Sequence, residues 1–505
     1  MSENKQKLKG FIGGSYIDTN TRYDCSRTVN YISQQDEAMT GKEGQVTELL
    51  QRPGLTLLQT VGSGPIRPGG LYTVSNSEIS IVVSGNQVYQ ITGALAIPTQ
   101  ITGTLSTNTG YVSISDNGIS VFIVDGTNGY YFDIGTFTLT TVVPGSTATP
   151  NFYPTNQVTY QDGYFIFNYE GTNQIFISDL ESTNFLAENY ATKQGYPDDV
   201  VGLVSNAREV FIFGGQTTEV WYDSGASGST PFVREDGKNS QIGCISEATI
   251  VQLGGTIFWL GQNPQGGAIV YYMNGYAPTR ISTHAIEEAL YQLGDLSSAY
   301  AYGIQIKGHY LYVLQATGSG TTYVFDIPAI SDSNPNNGLW TEFQSTMSSG
   351  QQGQFLGSCH CVLNGTHIIG DSTSGNIYSF DSNNYTDNGA MMLRMRQSPH
   401  VSNSLNMMFY KLIQIDFKTG LGLVNNGTNT MNAVTPQAIL RYSDDGGVTF
   451  GFPIYAPMGQ IGQYYTRARW QQLGCSRDRV FQLTVTDPVP ANIVVAMIDV
   501  EKGTS

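Results

Sequence analysis

The feature that most restricts what this chain can fold into is a hairpin pattern that returns along most of its length. Between Val204 and Gly225 the sequence VSNAREVFIFGGQTTEVWYDSG reads as two strands, Glu209–Phe213 and Glu219–Tyr222, joined through Gly214-Gly215. Similar units run from Glu78 to Ile91, Ser120 to Ile134, Tyr164 to Ser178, Tyr310 to Asp326 and His367 to Asp381. In another, Thr256–Gly261 is joined by a longer loop through Pro264-Gly266-Gly267 to Ala268–Met273. About seven hairpins result, with centres roughly 45 to 57 residues apart, the spacing of four-stranded propeller blades. The residues between them supply outer strands, such as Val200–Val204 and Pro231–Arg234 around the central unit, Phe137–Val143 after the second and Leu339–Phe343 after the sixth. Trp221 and Phe211 then become packing residues between blades. A string of β-sandwiches or a β-helix is the structural alternative.

Composition supports an all-β reading. The chain has 505 residues, 40% hydrophobic, 11% aromatic and only 13% charged, with 58 Gly. That is about half the usual charged share of roughly 25%, yet too aromatic for a disordered chain. One helix interrupts the pattern, with Ser282 or Thr283 as N-cap and Ala285, Ile286, Ala289, Leu290 and Leu293 on one face. Glu287 and Glu288 suit the positive end of its dipole, and the helix is expected to pack over one blade.

The repeat is bounded on both sides. Residues 1–60 differ in texture, with a strand at Arg27–Tyr31, a loop at Gly41–Gly44, a strand or helical turn at Gln45–Leu50 and a turn at Pro53-Gly54. After Asp381 the polar linker Asn383–Gly389 leads to another β unit. Its strands are Lys411–Phe417, Gln437–Tyr442, Thr466–Gln472, Phe481–Thr486 and Ile493–Asp499. Gly420–Val434 reads as a mobile loop. The expected division is 1–60 as an N-terminal segment serving the platform or propeller closure, 61–385 as the propeller and 386–505 as a C-terminal β platform.

Charge and cysteine usage limit function. A net charge of −16 repels phosphate backbones and anionic lipid, so specific DNA binding is not expected. An acidic wall would instead let DNA slide past. Five scattered Cys do not form a disulfide scaffold. The N-terminus lacks the apolar core of a secretory signal, and the longest apolar run, Ile493–Ile498, is too short to span a bilayer. Synthesis in a reducing cytosol is the expectation.

Motifs with chemical potential reduce to structure. Ser443-Asp444-Asp445-Gly446-Gly447-Val448-Thr449-Phe450 matches the Asp-box turn of sialidases with Phe for Trp, but it occurs once and outside the repeat. Cys359-His360-Cys361 with His367 has metal-ligand residue types. In a strand, however, the two cysteines share one face and His360 points away, leaving a blade-core pair. His284, His309 and His400 have no ligand or nucleophile spacing. Asp198-Asp199 and Glu287-Glu288 could be imagined as acid–base pairs, but adjacent acids read as solvated surface and the second pair as a helix start. Nucleotide-loop, zincin and nucleophile-elbow signatures are missing. No catalytic, cofactor-binding or metal-ligating residue is assigned.

The order of motifs resembles a known family. An Arg27-x-Val29-Asn30-Tyr31 segment precedes Pro53-Gly54-Leu55 and the hairpins. Ile177–Leu180, Phe211–Tyr222, Lys238–Gly243, Ile281–Leu290, Tyr442–Gly447 and Arg469-Trp470 follow in sequence. This order is similar to that of the tail nozzle, or packaged-DNA stabilisation, proteins of short-tailed bacteriophages. The resemblance implies a non-enzymatic virion tail component assembled in the host bacterial cytoplasm. Six copies would form a homo-hexameric tube below the adaptor, continue the DNA channel, retain the genome until ejection and dock tailspikes or fibres. Double-stranded DNA would pass without specific binding, with no cofactor and no membrane anchor. The resemblance leans towards six blades and the hairpin count towards seven. Two other readings remain: a carbohydrate-binding or glycan-hydrolysing propeller, suggested by the Asp-box-like turn and many aromatics, and a monomeric propeller scaffold for protein partners.

Overall fold

Alternation along the strands becomes a ring of seven blades in the computed structural model, which describes residues 5–35, 46–75, 77–92, 97–226, 230–327, 339–418, 420, 422–424 and 430–503. The expected loop at Gly41–Gly44, and Gln45 with it, lies outside these residues.

Each blade runs from an inner strand to an outer one. The first comprises Ile66–Thr73, Ile79–Ser84, Gln87–Thr92 and Thr99–Gln100. The fourth, around the central hairpin, comprises Val200–Asn206, Glu209–Gly214, Thr218–Asp223 and Phe232–Ser240. The seventh is made from both ends of the propeller: Gly357–Leu363, Thr366–Asp371 and Asn376–Asp381 are completed by Gly54–Thr60. Gly357–Leu363 packs on Ile66–Thr73 of the first blade, so the ring closes.

Period-two alternation explains the packing, because opposite faces of one blade must each be buried against a neighbour. In the fourth blade, Val210, Ile212 and Trp221 enter the core shared with the third. Phe211, Phe213 and Val220 enter the core shared with the fifth. Between the second and third blades, Phe122, Phe152, Phe165, Phe167 and Phe176 form a ring-on-ring cluster with centroids such as Phe122–Phe167 at 4.9 Å.

Four sequence expectations change in detail. The hairpin at Thr256–Asn263 and Gly266–Asn274 has a tight turn, because a shift in register between Gly261 and Asn263 keeps the strands paired to their ends. Helix His284–Leu293 has Thr283 at its N-cap position, but the buried Thr283 hydroxyl makes no hydrogen bond. Its start is fixed instead by Glu287, which accepts from Arg280 Nε at 2.6 Å and Ser282 Oγ at 2.5 Å. The linker after Asp381 contains strand Thr386–Asp387, paired in parallel with Gly54–Thr60. Within Gly420–Val434 the described residues include helix Met431–Val434, while 421 and 425–429 lie outside them.

The second body is a β-sandwich. One sheet contains Tyr31–Gln35, Val46–Gln51, Ile493–Lys502, Met408–Phe417 and Ala468–Gln471. The other contains Cys25–Val29, Arg394–Gln397, Asp478–Val485, Gln437–Ser443 and Ile454–Pro457. Between them lies a core that includes Ile413, Ile415, Trp470, Phe481 and Leu483. This second sheet is continuous with the sixth blade, because Val29 pairs with Glu342 of the blade's outer strand Trp340–Thr346.

Candidate assembly interface

A buried arginine, Arg52, holds the sandwich against the propeller. Arg52, fully buried, donates to both carboxylate oxygens of Asp387 at 2.9 and 2.6 Å and to Asn30 Oδ1 at 2.8 Å. Its guanidinium stacks 4.7 Å from the Phe355 ring centroid. Asn30 sits at the break between strands Cys25–Val29 and Tyr31–Gln35 with φ 59°. Its amide donates to the carbonyls of Gln344 in the propeller and Leu393 in the sandwich.

Arg394 and Arg396, two apart in one strand, are both buried. Arg394 donates to the carbonyls of Asp487 and Val489 and to Gln51 Oε1. Arg396 donates to the carbonyls of Phe11, Gly10 and Gly14 and to Thr28 Oγ1. Burial lowers both guanidinium groups to about 10. Carbonyl acceptors compensate buried cations without adding a second buried charge. Arg394 and Arg396 thus tie the sandwich to its own loops and to the N-terminal segment, whereas Arg52 and Asn30, both bonded to Gln344 O of the sixth blade, form the seam that fixes the relative position of the two bodies.

The outward face of the sandwich contrasts with that seam. Phe452 is 94% exposed and Tyr465 96%, and Tyr455, Ile461 and Tyr464 are also exposed. They lie on edge strand Ile454–Pro457 and its flanking loops. The loops are ordered by backbone bonds, Gly422 N to Gly459 O at 3.2 Å and Met458 N to Pro436 O at 2.9 Å. Trp470 Nε1 donates to Ile454 O at 2.8 Å and ties the edges of the two sheets. Large aromatics held in water on an ordered edge mark an interaction surface.

The Asp-box-like turn is held by its own side chains. Asp445 accepts from Ser443 Oγ at 2.6 Å and from the amides of Val448 and Thr449. The hydroxyls of Ser443 and Thr449 hold its carboxyl well below the usual range. Asp444 pairs with Arg479, whose guanidinium lies 4.1 Å from the Tyr442 ring centroid.

The other sequence candidates are placed apart. Cys359 and Cys361 are buried in the core between the seventh and first blades, and burial pushes their thiols up to about 12 and about 11. His360 is on the opposite face, its Nε2 3.0 Å from His367 Nδ1. Among the described residues no group of three or more His, Cys, Asp or Glu could hold a metal. Asp198 corrects the solvated-surface reading. It forms an ion pair with buried Lys193 and accepts from the amides of Gln216 and Thr217 at 2.7 and 2.9 Å. Gly214 is required there, because a Cβ would lie 2.3 Å from Asp198 Oδ2. Glu287 is held by Arg280 through both carboxylate oxygens, and Asp199 is exposed, as the solvated-surface reading expected. His309 pairs with Asp326 and His400 with Asp478, while His284 is exposed beside Glu287. The exposed sandwich face escaped sequence reading, since Tyr464-Tyr465 and Phe452 look like core residues until the edge they occupy is known.

Comparison with known proteins gives two family matches. The family described as bacteriophage P22 Gp10, beta-propeller, matches residues 10–385, and that described as bacteriophage P22 Gp10, beta-sandwich, matches residues 393–501. No curated protein matches the chain. Among solved structures, the N-terminal domain of Nup159 is 11% identical with a TM-score of 0.39, covering 69% of this chain and 98% of its own. YCF48 from Cyanidioschyzon merolae is 10% identical with a TM-score of 0.35, covering 65% and 98%.

Proposed function

The chain belongs to the bacteriophage P22 Gp10 family, structural proteins of the phage tail nozzle that stabilise packaged DNA, and on that premise we propose how it assembles and acts. Six copies form a tube that continues the DNA channel. Residues 386–505, with part of segment 1–60, form the platform that abuts the adaptor, and residues 61–385, closed by strand Gly54–Thr60, form the propeller. Tailspikes or fibres dock on outer surfaces, and assembly takes place in the host cytoplasm. The role is mechanical, without turnover of a substrate.

The observation that carries this reading is the exposed aromatic edge of the sandwich, Phe452, Tyr455 and Tyr465 above all. Burying such residues against a protein partner contributes roughly 1.5–3 kcal/mol for each large side chain. The buried-arginine seam suits a part that must transmit load without hinging. The net charge of −16 suits a wall past which DNA slides.

The test is co-elution of the purified protein with the portal–adaptor assembly of the same phage, followed by negative-stain microscopy. Wild type is expected to co-elute and extend the assembly by a sixfold ring. The double variant F452S/Y465S is expected to stay in the free fraction with an unchanged melting temperature. Co-elution of that variant at wild-type yield would remove the aromatic edge from the adaptor contact. Monomers that never join the assembly would overturn the nozzle arrangement itself.

A further inference from the structure

A concave surface lies on the outer rim of the propeller, between the outer strands of the third and fourth blades. Its cavity of about 640 Å³ is lined by Tyr190 and Thr192 from one blade and by Trp221, Phe232 and Arg234 from the other. That volume is within the roughly 300–1,000 Å³ of small-molecule sites.

The construction of its wall is unusual for this chain. Of the four tryptophans, Trp259, Trp340 and Trp470 give their indole N–H to backbone carbonyls. Trp221 gives its own to Glu219 Oε2 at 3.0 Å, and the other oxygen of this buried carboxylate accepts from Gly195 N at 2.8 Å. The indole is thereby fixed at the cavity wall. Tyr190, 46% exposed, stands at the rim. Phe232 is buried beneath. Arg234 donates to Asp236 Oδ1 at 3.2 Å, and Glu188 adds a second carboxylate to the lining.

We propose that this cavity is a saccharide-binding site for a neutral or amino-bearing pyranose of a glycan. A pyranose combines apolar C–H faces with hydroxyls that both donate and accept. The cavity offers the matching set: an aromatic rim and wall, a guanidinium donor, two carboxylate acceptors and the hydroxyls of Thr192 and Thr230. Two carboxylates against one cation disfavour phosphate and sulfate. The proposal does not depend on how the chain is arranged in the tail, because the cavity lies wholly within one subunit.

The test is saturation-transfer NMR on the full chain with methyl β-glucoside, glucosamine and N,N′-diacetylchitobiose as probes. At least one probe is expected to show saturable transfer at up to about 10 mM. Tyr190→Ala and Arg234→Ala are each expected to weaken it about tenfold, equivalent to the loss of one stacking or charged hydrogen-bonding contact. Both side chains are at the rim, so melting temperature should not change. Trp221→Phe serves as an internal comparison, and rescue of binding by Tyr190→Phe identifies stacking as the contribution. No saturable transfer from any probe would overturn the proposal, as would transfer that survives both rim substitutions or is displaced by inorganic phosphate.

Discussion

At the residue scale, the histidine pair of the seventh blade shows how an unreactive arrangement still shapes behaviour. His360 Nδ1 lies 2.9 Å from Gly303 O, where it can only donate, so Nε2 must accept the proton of His367 Nδ1. Protonation of His360 would set two N–H groups against each other unless His367 shifted its own proton to Nε2. Burial first, and then the charge of His367, hold its pKa down to about 3, against 6.5 for the free side chain. A depressed histidine contributes stability that is fully present above about pH 6.5 and is lost as pH falls towards 3. The slope is up to about 1.4 kcal/mol per pH unit. Chemical denaturation between pH 7 and 4.5 is therefore expected to show falling stability in the wild type and a flatter profile for His360→Gln, which keeps a donor to Gly303. An equally steep variant would assign the acid sensitivity elsewhere.

The element scale is where the two bodies become one. Strand Gly54–Thr60 closes the seventh blade, while the three strands before it, from Cys25 to Gln51, belong to the sandwich. Arg52 stands two residues before the closing strand and binds Asp387, which pairs with that strand. Arg52→Met removes the guanidinium and leaves a buried carboxylate with no cation. The expected cost is about 3–5 kcal/mol, read as a shift in denaturation midpoint. The double variant Arg52→Met/Asp387→Leu should recover part of that loss, because the uncompensated charge goes too. A single variant with wild-type stability would show that the ion pair does not hold the seam. None of this pairing was visible in sequence, since partners separated by 335 residues share no local pattern.

Across the whole molecule, the distribution of charge matters more than any one contact. With 40 acidic residues against 24 Lys and Arg, and Arg52, Arg67, Arg394 and Arg396 buried, few cations are left on the surface. Binding to duplex DNA depends on cations that displace counterions from phosphates. The purified protein is expected to leave the mobility of a duplex fragment unchanged in about 0.15 M salt. A retarded band that disappears at higher salt would contradict the acidic-wall reading.

Sequence alone determined the blade pattern, the seven hairpins, the β-rich C-terminal unit and the structural character of the Asp-box-like turn. Those follow from local periodicity: alternating side chains and turn residues carry their meaning within a few positions of one another. The reading of Trp221 and Phe211 as packing residues between blades came from that pattern too, while the interface each one enters was decided by the fold. Tertiary structure decided what depends on distant partners. Asp198, read as a solvated acid, became the partly buried counter-ion of buried Lys193. Phe452 and Tyr465, indistinguishable by type from the buried Phe122 and Tyr130, became the exposed edge. Burial belongs to the packed chain, because the same aromatic side chain is core or interface according to what the fold brings to cover it.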